Sequence, residues 1–293
     1  MKSCISTYSF ERLYQDGGFT RFNAIDKTKE YGCQGVELVL NDETPDGSTP
    51  MEYAKALCAH AKEQGLEVPI YTTGANFFVK EPEKELERLC RHIDIAAECK
   101  IPLLRHDVAW GYYEGYTGIK SYKKVIEAVA PFVRQAAEYA RERGVKTCSE
   151  NHGYLLQDSA RMLFAAVDHP NYGFLCDMGN FTVVDEDCAT AVSALSDYIV
   201  HVHAKDMLVR SGMNFDPGRG YNLSRGGNYW RGTIFGHGNV PTFQILSAIR
   251  KSGYDGYVSL EFEGMEPVLE GVEIGTQNLQ HMIEVIGEGQ RYV

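Results

Sequence analysis

The 293-residue sequence has no long hydrophobic run and no excess of positive charge. A membrane-spanning helix needs roughly 18 or more consecutive apolar residues, and the apolar stretches here are interrupted after a handful of positions. There are 29 Lys and Arg against 40 Asp and Glu, so the net charge is −11. Because binding to phosphate backbones depends on Lys and Arg, we expect neither a nucleic acid nor a membrane as partner.

The sequence also has no paired-cysteine motif, although it contains eight Cys. No CxxC pair and no zinc-finger or disulfide spacing occurs among them, which argues against a disulfide framework. We therefore predict reduced thiols, several of them packed as small hydrophobic groups. Reduced thiols are typical of the cytoplasm, which is the predicted location.

What the sequence does contain is a regular alternation of short apolar, β-branched runs with longer helical patterns. The alternation predicts eight strands and eight helices. The strands are expected near 2–9, 34–40, 66–73, 101–107, 145–151, 172–177, 198–206 and 256–263. The helices are expected near 20–32, 50–65, 82–100, 119–143, 157–169, 186–197, 241–253 and 276–288.

Several predicted helices end in a glycine that directly precedes the next apolar run, as in EYGCQG, EQGLEV, ERGVKT and KSGYDG. Glycine at that place is typical of a helix C-cap. Eight such units predict an α/β fold, a single (β/α)₈ TIM barrel domain over residues 1–293, with a long irregular loop at 207–240 after strand seven. The alternative is an open doubly wound sheet, which usually carries a GxGxxG turn after its first strand; none is present.

Charged and imidazole side chains collect at the ends of the last five predicted strands, where a barrel of this kind has its active site. One ligand from each of four adjacent strands would surround a single divalent cation. Carboxylates with one imidazole suit Mn²⁺ first, with Mg²⁺, Co²⁺ or Zn²⁺ as alternatives. The side chains concerned are Arg105, His106 and Asp107; Glu150, Asn151 and His152; Asp177 and Asn180; His201, His203, Lys205 and Asp206; and Glu261 and Glu263.

Position along each strand selects among these candidates. His203 stands nearer the strand exit than His201, so His203 is the predicted ligand and His201 a buried, orienting imidazole. Glu261 lies deeper than Glu263 and is the better ligand. Asp177 ends a buried apolar strand, and either a ligand role or an N-cap explains it.

The motifs SENHG, CDMGN, HVHAKD and VSLEFEG, in this order and at these separations, resemble the sugar phosphate isomerase/epimerase superfamily, the xylose-isomerase-like barrels. The resemblance implies a metal held by Glu150, Asp177, His203 and Glu261, with Glu150 and Glu261 also forming the acid–base pair. One position departs from the pattern. Ketose 3-epimerases of this group carry His three residues after the metal-binding Asp, where this sequence has Asn180.

Other polar and aromatic residues near the strand ends are predicted to contact the substrate. Arg105, next to His106, is expected to face outward in a structural ion pair. The predicted substrate-binding residues are His106, His152, Asn180, Lys205, Arg210 and Trp110.

These features predict a divalent-metal-dependent isomerase or epimerase that moves a proton next to the carbonyl of a small keto-sugar or sugar phosphate. The first alternative is a lyase or dehydratase of an oxo-sugar, inosose or oxo-glycoside. A phosphodiesterase with several metal ions and a barrel without chemistry are the others. A small carbohydrate is the expected partner, and a homo-oligomer remains open.

Overall fold

Eight parallel strands close into a barrel in the computed structural model, which describes residues 1–15, 17–152 and 157–289. In chain order the strands are β1 (Lys2–Ser6), β2 (Gly35–Val39), β3 (Tyr71–Thr73), β4 (Leu103–His106), β5 (Lys146–Glu150), β6 (Tyr172–Asp177), β7 (Ile199–Ala204), β8 (Asp206–Arg210), β9 (Asn222–Leu223), β10 (Tyr229–Thr233) and β11 (Tyr257–Leu260). Around the barrel the strands follow the order β1, β11, β7, β6, β5, β4, β3, β2, and β1 pairs with both β11 and β2. This confirms the predicted barrel.

Helices connect successive barrel strands and cover the barrel from outside. Thr20 and Thr49 form capping boxes at the starts of helices Arg21–Glu30 and Pro50–Glu63. The predicted terminating glycines, among them Gly32 and Gly144, adopt the left-handed backbone that a C-cap requires, with φ of 77° and 72°. No helix of the described ranges combines the length and apolar character needed to cross a membrane. The helices are α1 (Glu11–Tyr14), α2 (Arg21–Glu30), α3 (Pro50–Glu63), α4 (Pro82–Glu98), α5 (Tyr122–Glu142), α6 (Gln157–Val167), α7 (Cys188–Leu195), α8 (Thr242–Lys251) and α9 (Val268–Gly287).

The barrel interior contains a small apolar layer, separate from the larger core between strands and helices. Leu103, Cys148 and Leu175 belong to this inner layer. Since side chains alternate across a strand, the residues two positions later on β4, β5 and β6 point inward one level higher. Polar side chains therefore lie above this apolar layer, at the C-terminal end of the barrel.

The last helix, α9, begins earlier than the predicted range of 276–288, at Val268. The two glycines in its first half weaken the helical pattern in the sequence. In the structure they allow close packing, because a β-carbon at Gly271 would overlap the ring of Phe262, and one at Gly275 would lie 3.3 Å from Leu260. Tertiary contact with β11 and the segment after it therefore outweighs low helix propensity.

The long loop after strand seven was predicted to be irregular, and this prediction was wrong. It contains an antiparallel sheet in the order β8, β10, β9, with Asp206 paired to Thr233 and Arg210 to Tyr229. The buried carboxylate of Asp206 accepts hydrogen bonds from the backbone N–H groups of Gly236 and Gly238, at 3.0 and 2.8 Å. Asp206 therefore ties the base of this sheet to the chain that enters α8.

The contact between α9 and Phe262 is testable by substitution. We expect Gly271→Ala to lower the free energy of unfolding by about 1–3 kcal/mol, because the added methyl group overpacks the Phe262 ring. The matched control is Gly287→Ala in the same helix, where a β-carbon meets no atom within 4 Å; its stability should be equal or slightly higher. Urea denaturation measures both, and equal stability of the two variants would show that the contact is unimportant.

Candidate metal centre and active site

Four potential ligands from four neighbouring strands meet at the C-terminal end of the barrel. Glu150 ends β5, Asp177 ends β6, His203 lies on β7, and Glu261 directly follows β11. Each offers one ligand atom, and these atoms all lie within 4.8 Å of one another. All four residues are buried. The structure thus brings together the four residues predicted as ligands, which we call the ligand cluster.

His203 directs one ring nitrogen at the three carboxylates. Its Nδ1 lies 3.4 Å from Glu261 Oε2 and 3.8 Å from both Glu150 Oε1 and Asp177 Oδ2. Neither His203 Nδ1 nor Asp177 Oδ2 has a hydrogen-bond partner among the described residues, although both atoms are buried. Buried polar atoms without partners are costly, and a cation bound by the cluster would satisfy them.

The cluster also concentrates negative charge away from water. Burial, together with the neighbouring Glu150 and Glu261 carboxylates, raises the pKa of Asp177 to about 7 in spite of the nearby Lys205 ammonium. Three carboxylates and an imidazole are a donor set that suits hard to borderline divalent ions. The residues present therefore fit a divalent metal.

A fourth buried carboxylate, Glu37 on β2, contacts Nε2 of His203, the ring nitrogen that faces away from the ligand cluster. Its two oxygens lie 3.1 and 3.0 Å from His203 Nε2, and Thr72 Oγ1 donates a hydrogen bond to it at 2.8 Å. Burial alone would raise the pKa of Glu37, but His203 and His201 outweigh it and hold that pKa well below its ordinary value. A carboxylate on the far nitrogen of a metal-binding histidine fixes the ring's tautomer and orientation.

Sequence reasoning missed Glu37, although a signal was present. Glu37 is the single charged residue in the strand GVELV and is fully buried. The notable signal is a carboxylate in an otherwise apolar barrel strand, because a buried charge requires a partner. His201 occupies the predicted buried position, with Nε2 2.7 Å from Ser259 Oγ.

Lys205 places an ammonium group beside the cluster. Its Nζ lies 2.5 Å from Glu261 Oε2, 3.2 Å from Asp177 Oδ2 and 3.1 Å from Glu263 Oε2. It also donates a hydrogen bond to Asn180 Oδ1 at 3.2 Å. Burial alone would lower the pKa of Lys205, but these carboxylates raise it well above its ordinary value. Lys205 therefore carries its charge directly beside the ligand cluster.

Arg105 points into the barrel, so the prediction that it faces outward was wrong. It donates two hydrogen bonds to Asp107, at 2.9 and 3.0 Å, and one to Glu150 Oε2 at 2.6 Å. The physical reason is strand alternation: Leu103, two residues earlier, belongs to the inner layer. His152 Nδ1 lies 3.0 Å from Asp107 Oδ1, and this hydrogen bond raises the pKa of His152.

His106 faces away from the barrel interior and the ligand cluster, contrary to its predicted substrate contact. As the neighbour of Arg105 on β4 it faces the helices, with its ring 6.2 Å from those of both Phe77 and Tyr172. Its Nδ1 donates a hydrogen bond to the carbonyl oxygen of Asp107 at 2.7 Å. Burial lowers the pKa of His106 to about 4, so the ring is neutral at physiological pH.

Two other predicted substrate contacts have different surroundings. Arg210 is exposed at the end of β8. Burial alone would raise the pKa of Tyr221, but hydrogen bonds from Arg210 and Arg231 lower it. Arg210 lies away from the ligand cluster, because the antiparallel sheet extends beyond the ends of the barrel strands. Asn180 Nδ2 donates a hydrogen bond to Glu150 Oε1 at 2.8 Å, so it orients a cluster carboxylate.

The remaining predicted contacts line a cavity of about 420 Å³ above the cluster, which we call the active-site cavity. His152, Lys205 and Trp110 line it together with Glu150 and Glu261. Its volume lies within the range of about 300–1,000 Å³ found for small-molecule sites. Its polar lining suits a polyhydroxylated molecule. Residues from the first turn after β1, from the start of α2, and from β3 and the segments that follow β2 and β3 complete the wall, including Tyr8, Arg21, Asn41, Thr72, Thr73 and Gly74.

The sequence has a recognisable family signature over most of its length. Residues 25–286 match the family described as Xylose isomerase-like TIM barrel. The chain belongs to this family. Solved structures share the barrel: the probable 3-DHS dehydratase of Bacillus anthracis superposes with a TM-score of 0.72 at 18% identity, covering 96% of this chain and 99% of that one. At such identity the likeness shows the fold alone.

Two further structures extend this comparison. A D-tagatose 3-epimerase-like protein has a TM-score of 0.72 at 18% identity and covers 99% of both chains. A xylose isomerase-like TIM barrel protein from Mycobacterium smegmatis, in complex with magnesium, has a TM-score of 0.67 at 17% identity and covers 92% of this chain and 90% of that one.

Curated relatives are inosose dehydratases. That of Lacticaseibacillus casei is 29% identical over 142 residues, which are 47% of this chain and 47% of that enzyme. That of Lactiplantibacillus plantarum (strain ATCC BAA-793 / NCIMB 8826 / WCFS1) is 25% identical over 224 residues, 70% of this chain and 72% of that enzyme. The first match therefore spans about half the length of the relative.

The ligand cluster predicts stoichiometric metal binding. We expect the wild-type protein to retain one divalent ion, and saturating Mn²⁺ to stabilise it by about 2.7 kcal/mol at a hundred times the dissociation constant. Asp177→Ala should abolish both effects, because it removes a cluster carboxylate. Glu263→Gln is the control: Glu263 contacts Lys205 but does not belong to the cluster. Elemental analysis and thermal unfolding measure the effects, and unchanged metal content in Asp177→Ala would contradict the assignment.

Proposed function

We propose that this protein is a divalent-metal-dependent isomerase or epimerase that transfers a proton next to the carbonyl of a small keto-sugar or sugar phosphate. The observation that carries the proposal is the presence of two cluster carboxylates, Glu150 and Glu261, that also line the active-site cavity. Such residues face both a metal and a substrate. Membership of the xylose isomerase-like family supports this reading.

Glu150, Asp177, His203 and Glu261 would hold the metal, with Mn²⁺ the first choice and Mg²⁺ the second. A divalent ion held there supplies Lewis-acid stabilisation of the negative charge that develops on a carbonyl substrate as its neighbouring carbon loses a proton. Glu37 keeps the His203 ring oriented through its contact with Nε2.

Glu150 and Glu261 act as the acid–base pair. They stand on β5 and after β11, and two other barrel strands, β6 and β7, lie between these, so the carboxylates reach the cavity from different directions. One takes a proton from carbon and the other returns one. Return to the same carbon from the opposite face gives epimerisation, and return to the neighbouring carbon gives aldose–ketose isomerisation.

Neighbouring side chains hold this pair in place. Arg105 and Asn180 bind the two oxygens of Glu150, at 2.6 and 2.8 Å, while Lys205 binds Glu261. Fixed carboxylates lose little orientation entropy on the way to the transition state. His152, Lys205 and Trp110 line the cavity and are the groups available to contact sugar hydroxyls and C–H faces.

Conservative substitution of the acid–base pair tests the proposal. Glu150→Gln and Glu261→Gln should each lower kcat by about 10²–10⁴-fold, because an amide accepts no proton while keeping the shape of the side chain. Circular dichroism should show an unchanged fold. Glu127→Gln, on the exposed surface of α5, is the control. Full activity of either cluster variant on a confirmed substrate would refute the assignment of that residue.

A second candidate function is elimination by a dehydratase or lyase of an oxo-sugar, inosose or oxo-glycoside. The inosose dehydratase relatives favour it, as does Asn180 in place of the histidine of ketose 3-epimerases. Elimination needs a proton for the departing oxygen, and Lys205 lines the cavity 2.5 Å from Glu261. The same base would start both reactions.

Proton NMR in D₂O separates the two reactions. The isomerase proposal expects deuterium to replace a proton on the carbon next to the carbonyl of a ketose, with no loss of water or of a glycosyl substituent. The elimination candidate expects release of water or of that substituent from an inosose or oxo-glycoside. Elimination without any isomerised or epimerised product would reject the first proposal in favour of the second.

A further inference from the structure

A second cavity, of about 620 Å³, adjoins the active-site cavity at the C-terminal ends of β2, β3 and β4. Asn41, Gly74 and Trp110 line both cavities, so the two spaces meet at these residues. We call the second cavity the outer subsite.

Trp110 stands at the junction. Trp110 is 64% exposed although it lines both cavities. The indole rests on the backbone of Gly74, with Trp110 Cζ2 3.1 Å from the position that a β-carbon of residue 74 would occupy. The absence of a side chain at Gly74 thus lets the indole lie there. An exposed indole offers an apolar surface for the C–H face of a sugar ring.

Arg88 lines the outer subsite and is held in place by hydrogen bonds within the protein. Its guanidinium donates hydrogen bonds to the carbonyl oxygen of Gly74, to both oxygens of Glu85 at 2.9 Å, and to Asp42 at 3.1 Å. These contacts use four of its five N–H donors within the protein. The hydrogen-bonding groups left at the rim are amides and carboxylates, among them Asn41 and Glu43, and such groups bind hydroxyls.

The charge of the two cavities opposes an anionic ligand. Around the outer subsite Asp42, Glu43 and Glu85 outnumber Arg88. In the active-site cavity Arg105 is bound by Asp107 and Glu150. Lys205 contacts three carboxylates, and Arg21 donates to the carbonyl oxygen of Val39. A phosphate would have to compete with these acceptors for every Arg and Lys that lines the cavities within the described residues.

We propose that the substrate is an uncharged two-ring sugar, in which a keto-sugar with a free carbonyl carbon lies at the ligand cluster and carries, on one of its other hydroxyls, a second sugar ring that lies on Trp110 in the outer subsite. The inference rests on the proposed function, because it is the ligand cluster that defines where the carbonyl-bearing ring lies. It narrows the substrate from keto-sugars and sugar phosphates to unphosphorylated, two-ring molecules.

Binding to the Mg²⁺-loaded protein tests the inference without requiring turnover. Titration calorimetry would compare fructose with three uncharged glucosyl-fructoses of different linkage, turanose, maltulose and isomaltulose, and with fructose 6-phosphate. We expect at least one glucosyl-fructose to bind ten times more tightly than fructose, and fructose 6-phosphate to bind no more tightly than fructose. Equal affinity for one-ring and two-ring sugars, absence of all binding, or tightest binding of fructose 6-phosphate would each overturn the inference.

Variants locate the second ring. Glu43→Trp places a bulky side chain in the outer subsite and should remove the tenfold advantage while leaving fructose affinity unchanged. Glu127→Trp on α5 is the matched control and should retain that advantage. Trp110→Ala should weaken glucosyl-fructose binding by up to about tenfold. If Glu43→Trp keeps the advantage, the second ring lies elsewhere and the inference fails.

Hydrogen–deuterium exchange on the same sugars reports the proposed function separately. Exchange into fructose with equal affinities for all the sugars would keep the isomerase proposal and reject the outer subsite. Tight, Glu43-dependent binding of a glucosyl-fructose without exchange would keep the subsite and reject the isomerase proposal.

Discussion

The structure depends on the cost of burying three carboxylates together at one end of a barrel. Glu150, Asp177 and Glu261 lie within a few ångströms of one another and almost out of contact with water. Like charges in such a place repel strongly unless cations or hydrogen-bond donors offset them. Arg105, Lys205 and the imidazole of His203 supply part of that compensation. A divalent ion bound by the cluster would offset the remaining charge and would also contact His203 Nδ1, which has no hydrogen-bond partner among the described residues.

Much of the surrounding architecture serves this arrangement. The apolar layer inside the barrel lies beneath the ligand cluster. The polar layer above it lies at the strand ends, which open into the active-site cavity. Glu37 approaches His203 from β2, on the opposite side from the cluster carboxylates. Because these contacts come from strands far apart in sequence, distortion of any one strand would alter the whole set, and the site requires the closed barrel.

Under the proposed function, the active-site cavity and the outer subsite have different tasks. Residues at the cluster would act on the atoms next to the carbonyl, which isomerases, epimerases and dehydratases of oxo-sugars have in common. Residues around Trp110 would contact parts of the substrate that do not react. Binding energy from such remote parts can support positioning at the reacting centre. On this proposal, the chemistry and the choice of substrate are set by different groups, on different strands.

The number of barrel strands and the glycines that end several helices followed from the sequence alone, because alternation and capping are local features. The four cluster residues were found from their strand-end positions together with the motifs that resemble the superfamily. The start of α9, the antiparallel sheet within 207–240 and the role of Glu37 did not, because each depends on a partner distant in the chain: Phe262, the pairing of β8 with β10, and His203. The exchange of places between Arg105 and His106 has the same origin. A sequence shows that two neighbours on a strand face opposite ways, but only the packing of Leu103 inside the barrel decides which one faces the ligand cluster.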